Sequence, residues 1–278
     1  MVFDYTFHSH TYRCNHAVGD IEDYVIAAIK NGYQIYGVSD HVLLPNVLAD
    51  GTRGDYFLFD DYVETYQRVK EKYSSSIKMY LGFECEYSDY YYDYYLSLLK
   101  EKGFDYLICG QHNGFDSEDG KPFEYFFNNP TSSLEERLER FKTDIIKAMK
   151  SGLFLYIAHP DVFFEGATEI TPIYKKITKE VIEAAIENNV VFELNIHGLI
   201  RYKVRNGITY IKYPCLYFWK EVAKTSIRVV HGGDFHDPKE IGNKDITDQV
   251  EKLVRECSIK FVDIKEVFAE YKERIATL

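Results

Sequence analysis

The sequence predicts an α/β protein whose parallel strands and crossover helices close into a seven-stranded barrel, and three observations predict it. Short runs rich in β-formers alternate with longer stretches of helical periodicity along the 278 residues. The alternation recurs seven times with no linker-like segment and no shift in composition, which makes 1–278 a single domain. Groups able to bind metals stand at the carboxyl end of nearly every strand, where the loops of a parallel barrel converge. An open doubly wound sheet is the alternative that the same alternation allows.

The strands are expected at 3–8, 35–40, 77–84, 106–111, 153–158, 190–196 and 228–234. The helices are expected at 20–31, 60–73, 89–102, 132–150, 178–189, 215–225 and, at the end of the chain, 246–256 and 263–275. Asp20 fits an N-cap and Gly32 a stop for the first helix. Ser132 with Glu135 has the spacing of a capping box, and Gly152 closes that helix. The run YSDYYYDYYLSLLK falls on the third helix, where rings are expected to pack inward with their hydroxyls in water.

Composition narrows the function. The formal net charge of −11 disfavours a general nucleic-acid binder, which needs a basic face, but leaves room for a small anionic substrate in a local pocket. Five cysteines without CxxC spacing suit a reducing compartment, and the first residues lack a signal pattern. No apolar run approaches the ~20 residues of a membrane helix. These features lead us to expect a cytoplasmic protein with neither nucleic-acid nor membrane partner; they assign no oligomeric state.

The strand ends carry the chemistry. In order they read His8 and His10; Asp40 and His41 in GVSDH; Glu84 in YLGFECE; His112 in GQHN; His159 in AHPD; Asn195 and His197 in FELNIHG; and Asp234 with His236 in GGDFH. Residues two apart on a strand share a face, so His8 can aim with His10, and Asp234 with His236. Closing the barrel makes the first and last strands neighbours and joins the two pairs. A lone histidine at a strand end is more often a core or loop residue than a ligand. Here seven of nine histidines fall into one ordered set, together with an acid in an apolar strand. With His16 the inventory is His8, His10, His16, His41, Glu84, His112, His159, Asp234 and His236. That is enough for two or three divalent ions, zinc, iron or manganese.

The motifs HSHT–CNHA, SDH, GFE, GQHN, AHP and GGDFH resemble, in order, those of the polymerase-and-histidinol-phosphatase (PHP) metal-dependent phosphoesterases. Within that family the length and FELNIHGLIRY are similar to the monofunctional histidinol-phosphate phosphatases of histidine biosynthesis. The resemblance implies a distorted seven-stranded TIM-like barrel, the PHP fold, and hydrolysis of L-histidinol phosphate by a hydroxide bridging two ions. It implies that His8, His10, Glu84 and Asp234 hold one ion, that Glu84 bridges to a second held by His112 and His159, and that His16, His41 and His236 hold a third. Asp234 is the expected proton relay, with His236 beside it as a weaker catalytic candidate because a ligand's lone pair is occupied.

Phosphate calls for guanidinium forks. Arg201, after the sixth strand, is the first choice and Arg13 the second; His197 could touch phosphate. Glu118 and Asp161 are the expected partners of the substrate's amine and imidazole. Cys85 is read as core, Glu86 as support behind the ligands, and His231 as lacking a clear partner. Two rivals stand beside this reading. One is a related phosphoesterase acting on another small ester, a nucleotide or a phosphodiester; the other is a non-catalytic metal module.

Overall fold

The computed structural model describes residues 3–47, 51, 53–115, 122–125, 132–200, 204–205 and 207–278. Four parallel strands pair in order: β1 (Tyr5–Thr6), β2 (Ile35–Val38), β3 (Lys78–Cys85) and β4 (Tyr106–Cys109). Two short antiparallel hairpins, absent from the sequence expectation, add β5 (Asn113–Phe115) with β6 (Pro122–Glu124), and β8 (Val204–Arg205) with β9 (Ile208–Thr209). Between them lies β7 (Val191–Asn195), which pairs in parallel with β10 (Arg228–Gly232).

The regular ladders therefore make a curled half-barrel and a separate pair. The strand expected at 153–158 is reduced to single parallel bridges, Cys109 to Ile157 and Ile157 to Phe192, supported by Leu155 N–H donating to Leu107 O and Glu193 N–H to Ile157 O. Beyond β10, Phe235 bridges to Ser9, and His10 N–H donates to Phe235 O at 2.8 Å.

Among the described residues there are eight α-helices: α1 (Ile21–Lys30), α2 (Phe59–Tyr73), α3 (Tyr92–Lys100), α4 (Leu134–Ser151), α5 (Pro172–Glu187), α6 (Leu216–Val222), α7 (Lys244–Cys257) and α8 (Ile264–Thr277). Asp20 caps α1 in a box with Asp23, as two acids just before an apolar stripe would. The cap of α4 is Ser133, not Ser132: its hydroxyl accepts from Glu136 N–H, one residue later than the spacing suggested. Pro172 sets the first turn of α5 six residues ahead of the expected start, because proline's fixed φ suits that position. None of the described helices is long and apolar enough to cross a membrane.

Strand alternation splits the core in two. Ile35, Tyr106, Ile108, Val191 and Val230 face one cluster that is sealed by Ile264, Val267, Tyr271 and Ile275 of α8. Tyr36, Val38, Leu107, Cys109, Phe192 and Val229 face the other, against the remaining helices. α8 lies under the amino ends of the strands: Tyr271 Oη donates to Leu153 O, and Arg274 donates to Gly152 O and Phe154 O. The carboxyl ends are left to the polar residues. Tyr94 and Tyr95 correct the expectation of wet hydroxyls, since they donate inward to Leu43 O and Glu86 O and so fasten the end of β3.

Candidate metal centre

Glu84 stands near the end of β3, 1% exposed, with histidines from four segments around its carboxylate. Its Oε1 lies 3.3 Å from His8 Nε2, 2.9 Å from His159 Nε2 and 3.6 Å from His112 Nε2. Its Oε2 lies 3.3 Å from His10 Nε2 and 3.1 Å from His41 Nδ1. The neighbouring strand yields to it: a Cβ at Gly110 would stand 1.8 Å from Glu84 Oε1. Asp234 reaches the same place from beyond β10, its Oδ1 3.4 Å from His8 Nε2, 3.1 Å from His10 Nε2 and 3.5 Å from His236 Nδ1. The rings of His16 and His236 are 4.9 Å apart, and His16 and His41 are 5.2 Å apart. Side chains spread from position 8 to position 236 thus share one mouth.

The donor pattern says what the mouth takes. His8 Nδ1 donates to Glu193 Oε1 at 2.8 Å, and His112 Nδ1 donates to Glu86 Oε1 at 3.3 Å. His16 Nδ1 donates to Cys14 O and His236 Nδ1 to Asp234 O, at 2.8 and 2.9 Å. Carbonyls and carboxylates accept, so in the neutral form of each of these four rings the proton sits on Nδ1 and Nε2 keeps its lone pair. His8 Nε2, both nitrogens of His10, His41 Nδ1, His159 Nδ1 and Glu84 Oε2 are buried with no hydrogen-bond partner among the described residues. In the neutral His8 ring, a lone pair facing carboxylate oxygens at 3.3 and 3.4 Å is misplaced for a hydrogen bond. Those are instead the separations of two ligand atoms that share a zinc-like ion at about 2.0–2.2 Å. The residues present fit divalent cations, and the groupings whose ligand atoms lie within 4.8 Å of one another include His8–Glu84–His159, His8–His10–Asp234 and His10–His41–His236.

Electrostatics points the same way. Burial alone would raise the Glu84 and Asp234 carboxyls, but the imidazoles of His8 and its neighbours hold both well below the carboxylate range. Burial pulls His8 and His10 down, yet the surrounding carboxylates win, leaving His8 well above its ordinary value and His10 raised to about 9. Burial, then the charge of His10, pushes His41 and His236 well below theirs. The site thus keeps two anions beside crowded imidazoles that cannot all be protonated.

The other expected residues separate. The ring of His197 lies beside that of His236 at the rim, tilted by 38° with centroids 4.5 Å apart. Glu86 does stand behind the ligands, between His112 and Arg53. Arg13 is a correction: it is 2% exposed and its fork is filled, Nε donating to Asp61 Oδ2 at 2.8 Å and Nη1 to Asp20 Oδ1 at 2.5 Å. It ties the His10–His16 segment to α1 and α2 and offers phosphate nothing. Asp161 is a second correction: fully buried, its Oδ2 accepts from Cys215 N–H and Trp219 Nε1–H, so it anchors the start of α6. Arg201 and Glu118 lie outside the described residues.

Glu193 and Glu240 escaped the sequence reading, and Asp40, named there only as a strand end, has a role it did not assign. Asp40 accepts from the Thr11 hydroxyl and, at 3.1 Å, from Thr11 N–H, holding the turn between His10 and His16. Glu240 accepts from His236 N–H at 2.8 Å. Glu193 supports His8. Its signal was present, an acid inside the apolar run VVFELN, the same signature that singled out Glu84.

Residues 6–197, more than half of the chain, match the PHP domain. The chain belongs to the PHP domain family. A curated PHP relative from Schizosaccharomyces pombe, named a probable histidinol-phosphatase, is 25% identical over 254 residues, covering 84% of this chain and 81% of its own. One from Acetivibrio thermocellus, named a probable phosphatase, is 25% identical over 283 residues and covers 99% of each. Among solved structures, histidinol phosphate phosphatase from Lactococcus lactis, in complex with zinc, L-histidinol and phosphate, superposes with a TM-score of 0.69 at 14% identity, covering 94% of this chain and 95% of that one. At that identity the likeness establishes the shared fold. The half-barrel, its polar carboxyl end and the α8 seal are thus the PHP fold as this sequence builds it.

Proposed function

We propose that this PHP protein is a metal-dependent phosphomonoesterase that hydrolyses L-histidinol phosphate to L-histidinol and phosphate. One observation carries the chemistry: His8, its Nδ1 proton committed to Glu193, turns Nε2 toward two buried carboxylates, and His112, its Nδ1 proton committed to Glu86, turns Nε2 toward one of them. The substrate rests on the relatives named histidinol-phosphatase and on the zinc, histidinol and phosphate bound by the Lactococcus lactis structure. The bridges at Ile157 and at Ser9–Phe235 support a distorted seven-stranded barrel as the complete fold.

Divalent ions, when bound, supply a water that ionises near neutral pH and charge that meets the phosphate. The protein's part is to hold them and to manage protons. His8, His10, Glu84 and Asp234 form one set, Glu84 with His112 and His159 a second, and His16, His41 and His236 a third. Asp234 Oδ2 is occupied by Asn195, which leaves Oδ1 facing the cluster as the atom that takes a proton from the attacking water. Arg201 is the proposed phosphate fork and His197 a rim contact.

A second reading, a phosphatase of broader taste, is favoured by the Acetivibrio thermocellus relative, whose name specifies no substrate across nearly the full length of both chains. Phosphate release by zinc-, manganese- or iron-loaded protein from L-histidinol phosphate, nucleotides and DNA decides between them. Histidinol phosphate should be turned over fastest, and Arg201→Ala should lower kcat/KM by about 10- to 100-fold, the loss of a charged hydrogen bond. No release from any ester by fully loaded protein would leave only a metal-binding module.

A further inference from the structure

Glu193 is fully buried on β7, one layer behind the ligands, and touches neither the mouth nor solvent. Its Oε1 accepts from His8 Nδ1 at 2.8 Å. Its Oε2 accepts from the main-chain N–H of His159 at 3.1 Å and from Asn195 Nδ2 at 3.0 Å. The other hydrogen of that amide goes to Asp234 Oδ2, also at 3.0 Å. One carboxylate therefore fastens ligand-bearing segments from three places in the sequence. The next strand is cut back to admit it: a Cβ at Gly232 would lie 1.6 Å from Glu193 Oε1. The two ligands with left-handed backbones, His159 at φ 29° and Asp234 at φ 49°, are both tied to this network. Such conformations persist where surrounding contacts over-determine them.

We infer that Glu193 is a positioning residue for the metal centre: it fixes the proton of His8 on Nδ1 and, directly or through Asn195, sets His159 and Asp234 so that their ligand atoms meet one ion. The inference rests on the metal reading above. A carboxylate behind an imidazole makes the ring a more basic ligand and fixes its orientation. The Nδ1 atoms of His16 and His236, by contrast, donate to neutral carbonyls, those of Cys14 and Asp234. Glu193 is thus assigned to the ion held around His8, and the grouping of His10, His41 and His236 does not depend on it.

The test is zinc titration of the metal-free full chain against a competing chelator, with cobalt(II) as a spectroscopic stand-in. Glu193→Gln keeps the shape and loses the charge; its tightest zinc should bind about 10- to 100-fold more weakly. The visible bands of its cobalt-loaded form should shift, because the ligand geometry has relaxed. Gly232→Ala, which keeps the carboxylate but crowds it from its seat, should do the same. A role confined to holding strands together would lower the melting temperature of metal-free protein and leave the zinc constant and the band shape of the folded molecules unchanged, overturning the inference. If Glu193→Gln does not fold, Asn195→Ala loosens only the Asp234 arm and should still weaken zinc and shift the bands; wild-type values there would equally overturn it. Wild-type protein that takes up no zinc would instead remove the metal reading beneath.

Discussion

At His159 and Asp234 the backbone enters the left-handed region with a Cβ attached, a conformation that costs of order 1–3 kcal/mol per residue. That cost gives a prediction with an inverted sign. In metal-free protein His159→Gly should be more stable than His159→Ala by about 1 kcal/mol, the reverse of the usual order, because glycine relieves the strain that alanine keeps. Urea denaturation of the two variants measures it; alanine as the more stable would show that the position is unstrained. His231, the histidine without a partner, is buried between Phe3 and Tyr5 with ring centroids 3.8 and 4.0 Å away, and burial lowers it to about 3. A depressed folded value means stability that is whole above the ordinary histidine range and is lost as pH falls from about 6.5 toward 3. At pH 5 the loss is about 2 kcal/mol, at about 1.4 kcal/mol per pH unit. Chemical denaturation of metal-free protein across this range should show a flatter profile for His231→Phe than for wild type; identical slopes would mean that His231 does not drive the decline.

The elements were legible where a local signal was strong. The Asp20 cap of α1 and the Gly152 stop stand where the sequence put them, because caps depend on residues within one turn. The strand at 153–158 was not legible as a mere pair of bridges, because its apolar pattern matches that of a full strand and only its neighbours decide how many hydrogen bonds form. The two hairpins carry too few residues for a periodic signal. The last helix shows how an element gains tertiary meaning. Tyr271 Oη donates to Leu153 O and accepts from Leu107 N–H, joining α8 to the amino ends of two strand segments. Tyr271→Phe should strand both buried backbone groups and cost about 2–6 kcal/mol, at about 1–3 kcal/mol for each unsatisfied group. Its thermal midpoint should fall while zinc affinity holds, since α8 lies at the opposite end of the strands from the ligands.

For the whole molecule, metal, protons and stability are linked. The surrounding carboxylates hold the His8 and His10 imidazoles above their ordinary value in metal-free protein, His10 at about 9, and an imidazole must give up a proton to ligate. Zinc binding at pH 7 should therefore release protons and weaken as pH falls, which calorimetry in buffers of different ionisation enthalpy reads directly; a binding heat independent of buffer would contradict it. Chelation should lower thermal stability, by about 2.7 kcal/mol relative to zinc held at a hundred times its dissociation constant. By itself the sequence determined the α/β class, the order of its elements and the inventory of nine ligand candidates, because strand periodicity and residue type are local properties. The structure alone decided what each charge does. Arg13 and Asp161 had the right chemistry for substrate, yet their partners, Asp20, Asp61, Cys215 and Trp219, hold them in the framework. Glu193 carried the same signature as Glu84, an acid in an apolar strand, yet it backs His8 and the segments of His159 and Asp234. Hydrogen-bond partners distant in sequence are fixed only when the chain closes on itself, and that closure separates a ligand from a brace.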